Sequence, residues 1–335
     1  MFKGILAGLG SRGRHWLGQA REHADCELVA YVEPDAENAG EAVEQQDVPE
    51  AQIFENLEDA VAETDADFVL DVTPPGIHRQ IAEISFEAGL HLLGEKPLSD
   101  NAESAKEMVE MGNEAGLRHM ITQNYRFTPQ PRTTRNLIAD GLIGQPGQLD
   151  IRFYMSWADA PGSHYVTEPY MLINDMMVHH FDMMRYVLAE DPLRVHAITW
   201  NHPWGWHEGD AAHAIVFQFP EGLWATHITV GCAVGERTDW NGDWRIEGPG
   251  GSISWEDGGI HYAHLHRVEE PVSKYIELMD VPPGGKAILD EFFASIEEER
   301  EPECSAADNI KSLAMTLAAI QSAKEDGWVE MDEIL

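Results

Sequence analysis

Three glycines near the start of the chain have a spacing that suits phosphate binding. Gly8, Gly10 and Gly13 form the pattern G-x-G-x-x-G, after a short apolar run and before a segment of helical character. In such a turn the first glycine permits a tight bend, the second lets the backbone approach a pyrophosphate, and the third lets helix and strand pack closely. The free N–H groups at the helix N-terminus then attract the anion. The alternative is a plain strand–turn–helix connection, but the pattern favours a dinucleotide site that also includes Ser11 and Arg12.

An acidic residue follows at the end of the next apolar run. Glu33 lies 20 residues beyond the third glycine, where a carboxylate can accept hydrogen bonds from both hydroxyls of an adenosine ribose. NADP would need a cation beside its 2′-phosphate, and a carboxylate there repels that phosphate. The chain has no Lys or Arg between Arg21 and Arg79. The nearby cations are those of the glycine turn itself, Arg12 and Arg14. The predicted cofactor is therefore NAD rather than NADP.

Two further groups of residues could do acid–base chemistry. Lys96 follows a later apolar run, and Asp175 and His179 stand four positions apart in a helical pattern. Oxidation of a secondary alcohol needs a hydride acceptor on one side of the carbon and a proton acceptor at the hydroxyl. Histidine titrates near neutrality and suits the second role, while an ammonium group can stabilise charge developing on the oxygen. The Asp–His spacing also fits a surface pair or a metal-ligand pair. His180 points away on a helix and offers no third ligand, so no metal is predicted.

The residues named so far would have to be positioned by a sheet whose strand ends converge. The first part of the chain, to about residue 120, alternates short apolar runs with amphipathic segments, which predicts βαβ units and a parallel sheet. Ligands collect at the carboxyl ends of the strands in such a sheet. The predicted strands are Phe2–Ala7, Glu27–Val32, Phe68–Val72, His91–Leu93 and Arg118–Thr122, and the predicted helices between them include His78–Ala88 and Ala102–Ala115.

The pattern changes after about Asn124. Alternating, Trp-rich runs predict longer strands, mostly antiparallel, with one wet face. The predicted strands are Gln148–Trp157, Val195–Trp200, Ala212–Phe219, Trp224–Val230 and Trp244–Glu247, and the predicted helices are Arg132–Asp140, Ile173–Leu188, Gly285–Glu299 and Asp308–Glu325. The predicted fold class is α/β. Residues 1–123 would form an N-terminal Rossmann domain with a doubly wound parallel sheet. Residues 124–335 would form a C-terminal α+β domain with a large open, mostly antiparallel sheet.

Several motifs occur in the order known from one oxidoreductase family. They are TPPGIH at residues 73–78, EAGLHLLGEKP at 87–97, RFTP at 126–129, the pattern D-x-x-x-H-x-x-D at 175–182 and RY at 185–186. Together with the glycine turn, these motifs make the chain resemble the Gfo/Idh/MocA (glucose–fructose oxidoreductase / inositol dehydrogenase) family, from Gly4 to about Trp328. One departure is MLIN at residues 171–174, where relatives commonly carry glycines. This departure leaves the shape of the substrate pocket open.

The resemblance implies NAD(P)-dependent oxidation of a hydroxyl group on a sugar or polyol, and Lys96, Asp175 and His179 match the catalytic positions of the family. Tyr165 is added as a substrate contact because it lies in a loop, where binding residues concentrate. The predicted cofactor contacts are Gly8, Gly10, Ser11, Arg12, Gly13, Glu33, Thr73, Pro74, His78, Glu95 and Lys96, and the predicted substrate contacts are Lys96, Arg126, Tyr165, Asp175 and His179.

Two other functions stay open at the level of sequence. An enzyme of the same family could hold NAD tightly and recycle it internally, for glycoside cleavage, epimerisation or elimination without net redox change. The chain could also be a nucleotide-sensing protein without catalysis. An intact set of Lys96, Asp175 and His179 argues against the sensor, since sensing needs no acid–base residues.

The charge of the chain is strongly acidic. Asp and Glu number 59 against 22 Lys and Arg, for a formal net charge of −37. The acids are spread over the whole length, which indicates an acidic coat on a folded body rather than a tail. Such a surface repels nucleic acids and anionic membranes, so neither is a predicted partner. Concentrated cations would screen the self-repulsion, so we expect a salt-loving host.

The sequence also predicts where the protein works and how it assembles. The first residues run directly into a strand and no apolar run reaches membrane-spanning length, so neither a signal peptide nor a membrane span is expected. Cys26, Cys232 and Cys304 are widely spaced and give neither a disulfide framework nor a zinc pattern. We therefore expect a cytoplasmic protein. An open sheet with one apolar face needs covering, which predicts a homo-oligomer, either a dimer or a tetramer.

Overall fold

A computed structural model describes residues 1–156, 164–256, 258–264 and 272–335. The residue contacts divide the chain into two units. The first unit consists of Met1–Asn124 and Pro282–Leu313, and the second consists of Tyr125–Val281 and Ala314–Leu335. The domains 1–123 and 124–335 stay a prediction, but the contacts group one late segment of the chain, Pro282–Leu313, with the first unit.

The first unit is built on a parallel sheet. Its strands are β1 (Phe2–Ala7), β2 (Cys26–Val32), β3 (Ile53–Phe54), β4 (Phe68–Asp71), β5 (His91–Gly94) and β6 (His119–Ile121). Their spatial order is β3-β2-β1-β4-β5-β6, and every pair is parallel. The predicted apolar runs correspond to all of these strands except β3. Two residues are too few to show a period, so β3 is not predicted from the sequence.

Helices alternate with the strands of this sheet. They are α1 (Ser11–Glu22), α2 (Ala36–Gln46), α3 (Leu57–Glu63), α4 (His78–Glu87) and α5 (Ala102–Ala115). Successive residues of β1, such as Ile5 and Leu6, are both fully buried although they point to opposite faces. Both faces of the sheet are therefore covered, as parallel sheets require. The strand order reverses between β1 and β4, which makes their carboxyl ends the place where a ligand can enter.

The second unit is built on a larger, mostly antiparallel sheet. Its strands are β7 (Gln148–Tyr154), β8 (Arg194–Trp200), β9 (Ala212–Gln218), β10 (Trp224–Val230), β11 (Asp243–Gly248), β12 (Gly251–Glu256), β13 (Gly259–His264), β14 (Val272–Ile276) and β15 (Val329–Glu330). Their order is β14-β13-β12-β11-β7-β10-β9-β8-β15. The pair β7–β10 is parallel and the other pairs are antiparallel. The predicted fold class is thus confirmed for both sheets.

Some predicted boundaries differ from the observed ones. The first strand of this sheet ends at Tyr154, and Trp157, its predicted end, lies outside the described residues. The remaining helices are α6 (Pro129–Ala139), α7 (Met177–Leu188), α8 (Gly284–Glu297) and α9 (Ala306–Glu325). The first of them begins three residues earlier than predicted, because proline is tolerated in the first turn of a helix. Among the described helices, none is both long and apolar enough to cross a bilayer.

Helix α7 lies within the hydrophobic core of the second unit. A π-helical turn, Leu172–Met176, leads into it, and all of its residues are buried. Phe181 packs edge-on against Phe217 of β9, with ring centres 4.9 Å apart. A helix buried all round has no wet face, so every polar side chain on it needs a partner inside the protein.

Aromatic packing explains why Pro282–Leu313 belongs with the first unit. Phe292 and Phe293 of α8 lie edge-on to Phe68 of β4, with ring centres 5.6 and 5.4 Å apart. Phe2 of β1 stacks on Phe293 at 4.6 Å. A Cβ on Gly4 would lie 2.4 Å from the Phe68 ring, so the glycine provides the space for that ring. The late helix therefore completes the core of the parallel sheet.

We expect Phe292→Ala to lower the free energy of unfolding by about 3–5 kcal/mol, because the ring is fully buried and its loss leaves a cavity. Glu297→Ala in the same helix is exposed and should change the free energy by less than about 0.5 kcal/mol. Urea unfolding followed by circular dichroism measures both. Equal effects of the two substitutions would contradict the role given to α8.

Candidate functional site

The glycine turn lies between the carboxyl end of β1 and helix α1. Gly8 has a φ of +95°, and a Cβ there would lie 2.7 Å from the carbonyl oxygen of Val72. A Cβ on Gly13 would lie 1.9 Å from the carbonyl oxygen of Gly8. A Cβ on Gly10 would meet nothing within 4 Å, so open space adjoins the turn there. Packing requires the first and third glycines, and the second borders space in which a ligand can approach the backbone.

The start of α1 is suited to an anion. Gly10 precedes the helix without a side-chain cap, and the first turn has no acidic residue. The N–H groups of the first turn and the positive end of the helix dipole can therefore interact with an anion. Together with the open space beside Gly10, these features fit the pyrophosphate of a dinucleotide.

The carboxylate of Glu33 is held beside the glycine turn. Glu33 follows β2 directly and is buried. Its Oε2 accepts a hydrogen bond from the N–H of Leu9 at 2.7 Å, and its Oε1 accepts one from the N–H of Asp35 at 3.0 Å. Asp35 in turn caps α2, where it accepts from the N–H groups of Glu37 and Asn38. The role of Glu33 as the ribose ligand stays a prediction.

Glu95 connects α1 to the end of β5. Oε1 of its buried carboxylate accepts hydrogen bonds from Nε of Arg12 and Nε1 of Trp16, both at 2.6 Å. Oε2 accepts one from the N–H of Lys96 at 3.0 Å. The peptide bond between Lys96 and Pro97 is cis. The Glu95 carboxylate thus holds the backbone N–H of Lys96, and the same carboxylate binds two side chains of α1, the helix after the glycine turn.

Trp16 is a site residue that sequence reasoning missed. It stands four positions after Arg12, so the two share a face of α1, and the Arg12 guanidinium lies 5.9 Å from its ring centre. A tryptophan that is buried needs a partner for its indole N–H. That need is a usable signal, but the sequence does not say which acceptor meets it.

The T-P turn after β4 is held by buried polar groups. Oδ1 of Asp71 accepts hydrogen bonds from the N–H and the hydroxyl of Thr73, at 3.0 and 2.6 Å. His78 places Nε2 2.8 Å from the carbonyl oxygen of Thr73 and Nδ1 3.3 Å from that of Leu98. Burial raises the pKa of the Asp71 carboxyl, and His78 acts in the opposite direction. Pro74 leads into the short turn that follows, so this group shapes the strand end.

In the second unit, His179 lies near the start of α7 and is buried. Its ring stacks on that of Tyr125, with centres 4.3 Å apart and planes 8° from parallel. Asp175 lies in the π-helical turn rather than in regular α-helix. Such turns recur at functional sites. The pKa of Tyr165 is raised to about 12, first by burial, then by the charges of Asp175 and Glu168, and also by a hydrogen bond from its phenol to Asp175.

Arg126 and Asp182 form a buried ion pair beside α7. Nε of Arg126 donates to Oδ2 of Asp182 at 2.7 Å, and a second, shorter contact joins the guanidinium to Oδ1. Arg185, three positions further along the same helix, donates its Nε to Oδ1 of Asp191 at 2.7 Å. A two-point pair of this kind fixes both side chains. The substrate contact predicted for Arg126 stays a prediction.

Three buried histidines form a chain that the sequence did not reveal. His180 places Nδ1 2.9 Å from Nε2 of His227, and His213 places Nε2 3.2 Å from Nδ1 of His227. Nε2 of His180 lies 2.9 Å from the carbonyl oxygen of Trp240. A carbonyl only accepts, so this nitrogen carries the hydrogen and the neutral rings all donate in one direction. The chain of histidines joins α7 to β9 and β10, two consecutive strands that come later in the sequence.

The predicted site residues fall into both units. Lys96 and the cofactor contacts belong to the first unit, and Asp175, His179, Arg126 and Tyr165 belong to the second. The meeting of Lys96 with His179 stays a prediction. Among the described residues, no group of three or more His, Cys, Asp and Glu side chains could hold a metal ion.

Comparison with known proteins identifies the family. Residues 2–123 match a model described as an oxidoreductase family with an NAD-binding Rossmann fold, and residues 132–254 match the GFO/IDH/MocA C-terminal domain. The two models cover more than half of the chain, which belongs to the GFO/IDH/MocA oxidoreductase family. The predictions of a dehydrogenase-type enzyme and of NAD as its cofactor are thereby confirmed.

Individual relatives are distant. The chain is 30% identical over 200 residues to an inositol 2-dehydrogenase of Corynebacterium glutamicum, with 59% of this chain and 56% of that protein covered. It is 25% identical over 347 residues to a 1,5-anhydro-D-fructose reductase of Ensifer adhaerens, with 98% of each covered. A crystal structure of an oxidoreductase from Agrobacterium radiobacter, in complex with NAD+, L-tartaric acid and magnesium, superposes with a TM-score of 0.88 at 18% identity, covering 100% of this chain and 99% of that one. At this identity the structure shows a shared fold.

The histidine chain makes stability depend on pH. Burial lowers the pKa of His180 to about 4 and that of His213 to about 3, and it lowers the pKa of His227 well below the usual value. In the unfolded chain these rings titrate near pH 6.5, so below about pH 6.5 the unfolded state binds protons that the folded state does not. The stabilisation is therefore complete above about pH 6.5 and is lost as the pH falls toward 4.

We expect His213→Gln to lower the slope of the unfolding free energy against pH by about 1.4 kcal/mol per pH unit below about pH 6, because one proton fewer is taken up on unfolding. His261→Gln, at an exposed position of β13, is the matched control and should leave the slope as it is. Urea unfolding between about pH 4.5 and 7 measures both slopes. A slope unchanged by the first substitution would count against a chain of neutral histidines.

Proposed function

We propose that this oxidoreductase transfers a hydride between NAD and a hydroxyl-bearing carbon of a sugar or polyol. The observation that carries the proposal is the carboxylate of Glu95, which ties the backbone of Lys96 to the helix of the glycine turn. Lys96, whose side chain can donate a proton, thus starts at the same edge of the sheet that would hold the cofactor. The two relatives, an inositol 2-dehydrogenase and a 1,5-anhydro-D-fructose reductase, support a substrate of this class.

In this proposal the cofactor contacts come from the first unit. Bound NAD would accept the hydride. The N–H groups at the start of α1 would hold the pyrophosphate, with Ser11 and Arg12 beside it. Glu33 would accept the ribose hydroxyls, and its position beside Leu9 supports this role. The turn that contains Thr73, Pro74 and His78 would border the nicotinamide end.

The proton chemistry is assigned to Lys96, His179 and Asp175. His179 would take the proton of the reacting hydroxyl, and its stacking on Tyr125 sets the plane of the ring that does so. Lys96 would donate a hydrogen bond to the same oxygen and stabilise its developing charge. Asp175 would orient the imidazole or a substrate hydroxyl. The proposal requires Lys96 and His179 to meet at one carbon.

The substrate would also contact two other residues. Tyr165 presents a phenol that is protonated at neutral pH and can donate a hydrogen bond, and burial raises its pKa further. Arg126 would contact the substrate beside α7. Its ion pair with Asp182 supports a second contribution, in which Arg126 fixes the position of that helix.

We expect Lys96→Met to lower kcat by at least about 100-fold, because the hydrogen bond to the reacting oxygen is lost. NADH binding, measured by fluorescence titration, should change little. Lys106→Met, at an exposed position of α5, is the matched control and should keep full activity. The assay is NADH absorbance at 340 nm with a panel of sugars, inositols and sugar acids at high salt.

Two outcomes would contradict the proposal. Full activity of Lys96→Met would remove Lys96 from the catalytic set. Product formed by the wild-type enzyme without NADH release would instead support the alternative function, in which bound NAD is recycled for glycoside cleavage, epimerisation or elimination.

We further propose that the protein is a homo-oligomer, a dimer or a tetramer, joined through the open face of its large sheet. Ile198 of β8 and Ile228 of β10 flank Ala214 of β9 in one row of this face. They are 54% and 39% exposed, although both are large and apolar. Neighbouring apolar side chains of this kind mark association surfaces.

A cytoplasmic location and a salt-loving host are proposed from composition. The three cysteines all lie among the described residues, form no disulfide and are buried, as a reducing compartment allows. The net charge of −37 disfavours nucleic acids and anionic membranes as partners. It also predicts a folded state that repels itself unless cations screen it.

We expect the melting temperature to rise steeply with KCl into the molar range, because screening weakens repulsion among the 59 acidic side chains. Differential scanning calorimetry in a KCl series measures the effect. The same series in a neutral osmolyte such as sucrose controls for general exclusion of solutes from the protein surface. A melting temperature independent of KCl would refute the salt-loving interpretation.

A further inference from the structure

Both arginines of the glycine turn are engaged by carboxylates, on different sides of the turn. Arg12 donates to Glu95, after β5. Arg14 lies on the other side, where its Nη1 is 3.0 Å from the carbonyl oxygen of Leu9 and 2.9 Å from Oε2 of Glu41 in α2. The two arginines of the glycine turn are thus each paired with an acid of the same unit.

Arg14 and Glu33 are both hydrogen-bonded to the backbone of Leu9. The N–H of Leu9 donates to Oε2 of Glu33 at 2.7 Å, and the carbonyl of the same residue accepts from Arg14 at 3.0 Å. The N-cap of α2, Asp35, is bonded to the other oxygen of Glu33, so the helix that carries Glu41 starts at the same place. Glu33, Arg14 and Glu41 therefore form one group beside the position proposed for the adenosine ribose.

The charges of this group decide what it can accept. The group holds the carboxylates of Glu33 and Glu41 and the guanidinium of Arg14. The chain has no Lys or Arg between Arg21 and Arg79 that could add a positive charge. A ribose hydroxyl is neutral and can donate to Glu33. A 2′-phosphate carries about −1.5 to −2 charges and would meet a net negative group whose single guanidinium is already paired.

We propose that Glu41 is a specificity-determining residue, which withholds Arg14 from a 2′-phosphate and so makes the site select NAD over NADP. This inference rests on the cofactor site proposed above. Arg14 is the cation best placed to form a charge-assisted hydrogen bond with a phosphate beside Glu33. While Glu41 holds the guanidinium, NADP would have to break that pair and would still leave two carboxylates nearby.

The competing interpretation is that the pair only ties α1 to α2. Exposed ion pairs of this kind contribute about 0–1 kcal/mol to stability, and the Glu41 side chain is 40% exposed. A structural tie would affect NADH and NADPH equally when broken. A specificity residue would affect only the phosphorylated dinucleotide, so binding of the two cofactors separates the two interpretations.

The test is fluorescence titration of the full chain with NADH and with NADPH, at one fixed KCl concentration. Glu41→Ala should tighten NADPH binding by about tenfold, the effect of one charge-assisted hydrogen bond, and should change NADH binding by less than about twofold. Glu44→Ala, at an exposed position of the same helix, removes the same charge and should leave both affinities as they are. Adding Arg14→Gln to Glu41→Ala should abolish the gain in NADPH binding.

Each other result overturns the inference. An unchanged NADPH affinity in Glu41→Ala, with its circular dichroism spectrum intact, shows that Arg14 is not withheld. Equal gains in Glu41→Ala and Glu44→Ala show a general effect of net charge. A gain that survives Arg14→Gln assigns it to another group. Wild-type protein that binds neither NADH nor NADPH would overturn the cofactor site itself, whereas tight NADH binding with no shift in Glu41→Ala overturns the inference alone.

Discussion

The carboxylate of Glu95 is the group on which the ligand edge of the first unit depends. An anion removed from water must be surrounded by donors, and here Arg12, Trp16 and the backbone of Lys96 supply them. These donors come from the helix after the glycine turn and from the end of a strand two places away from β1 in the sheet. The buried Glu95 carboxylate therefore fixes the start of α1, where a pyrophosphate can bind, relative to the backbone that carries the Lys96 ammonium group. In hydride transfer the cofactor carries the chemistry, and the protein contributes by positioning the reacting groups in this way.

The second unit meets the same physical requirement around a helix. Every residue of α7 is buried, so its polar side chains are stable only with internal partners. Asp182 is satisfied by Arg126, and His180 by His227 and Trp240. These bonds tie the helix to its neighbours in one arrangement. His179, directly before His180 in the same helix, stacks on Tyr125, and this stacking gives its ring a defined plane.

Much of the fold follows from local patterns. Strands β1, β2, β4, β5 and β6 are predicted because apolar runs at short intervals are typical of a parallel sheet buried on both faces. Strand β3 and the series β12 to β14 are not, since their segments are too short or alternate too weakly to show a period of two. The late helix α8 is predicted as a helix, but its place is not. Its aromatic residues pack on Phe2 and Phe68, which lie far earlier in the chain.

The amino-acid sequence by itself determined the glycine turn, the acid after β2, the residue types of the acid–base set and the family, because each depends on spacing within a short segment. Tertiary structure alone decided the partners of those residues. Trp16 and Glu95 are 79 positions apart, Arg126 and Asp182 are 56 apart, and His180 and His227 are 47 apart. A local period shows that a polar side chain will be buried and will need a partner, but many distant groups could supply it. The packing of the whole chain selects one of them.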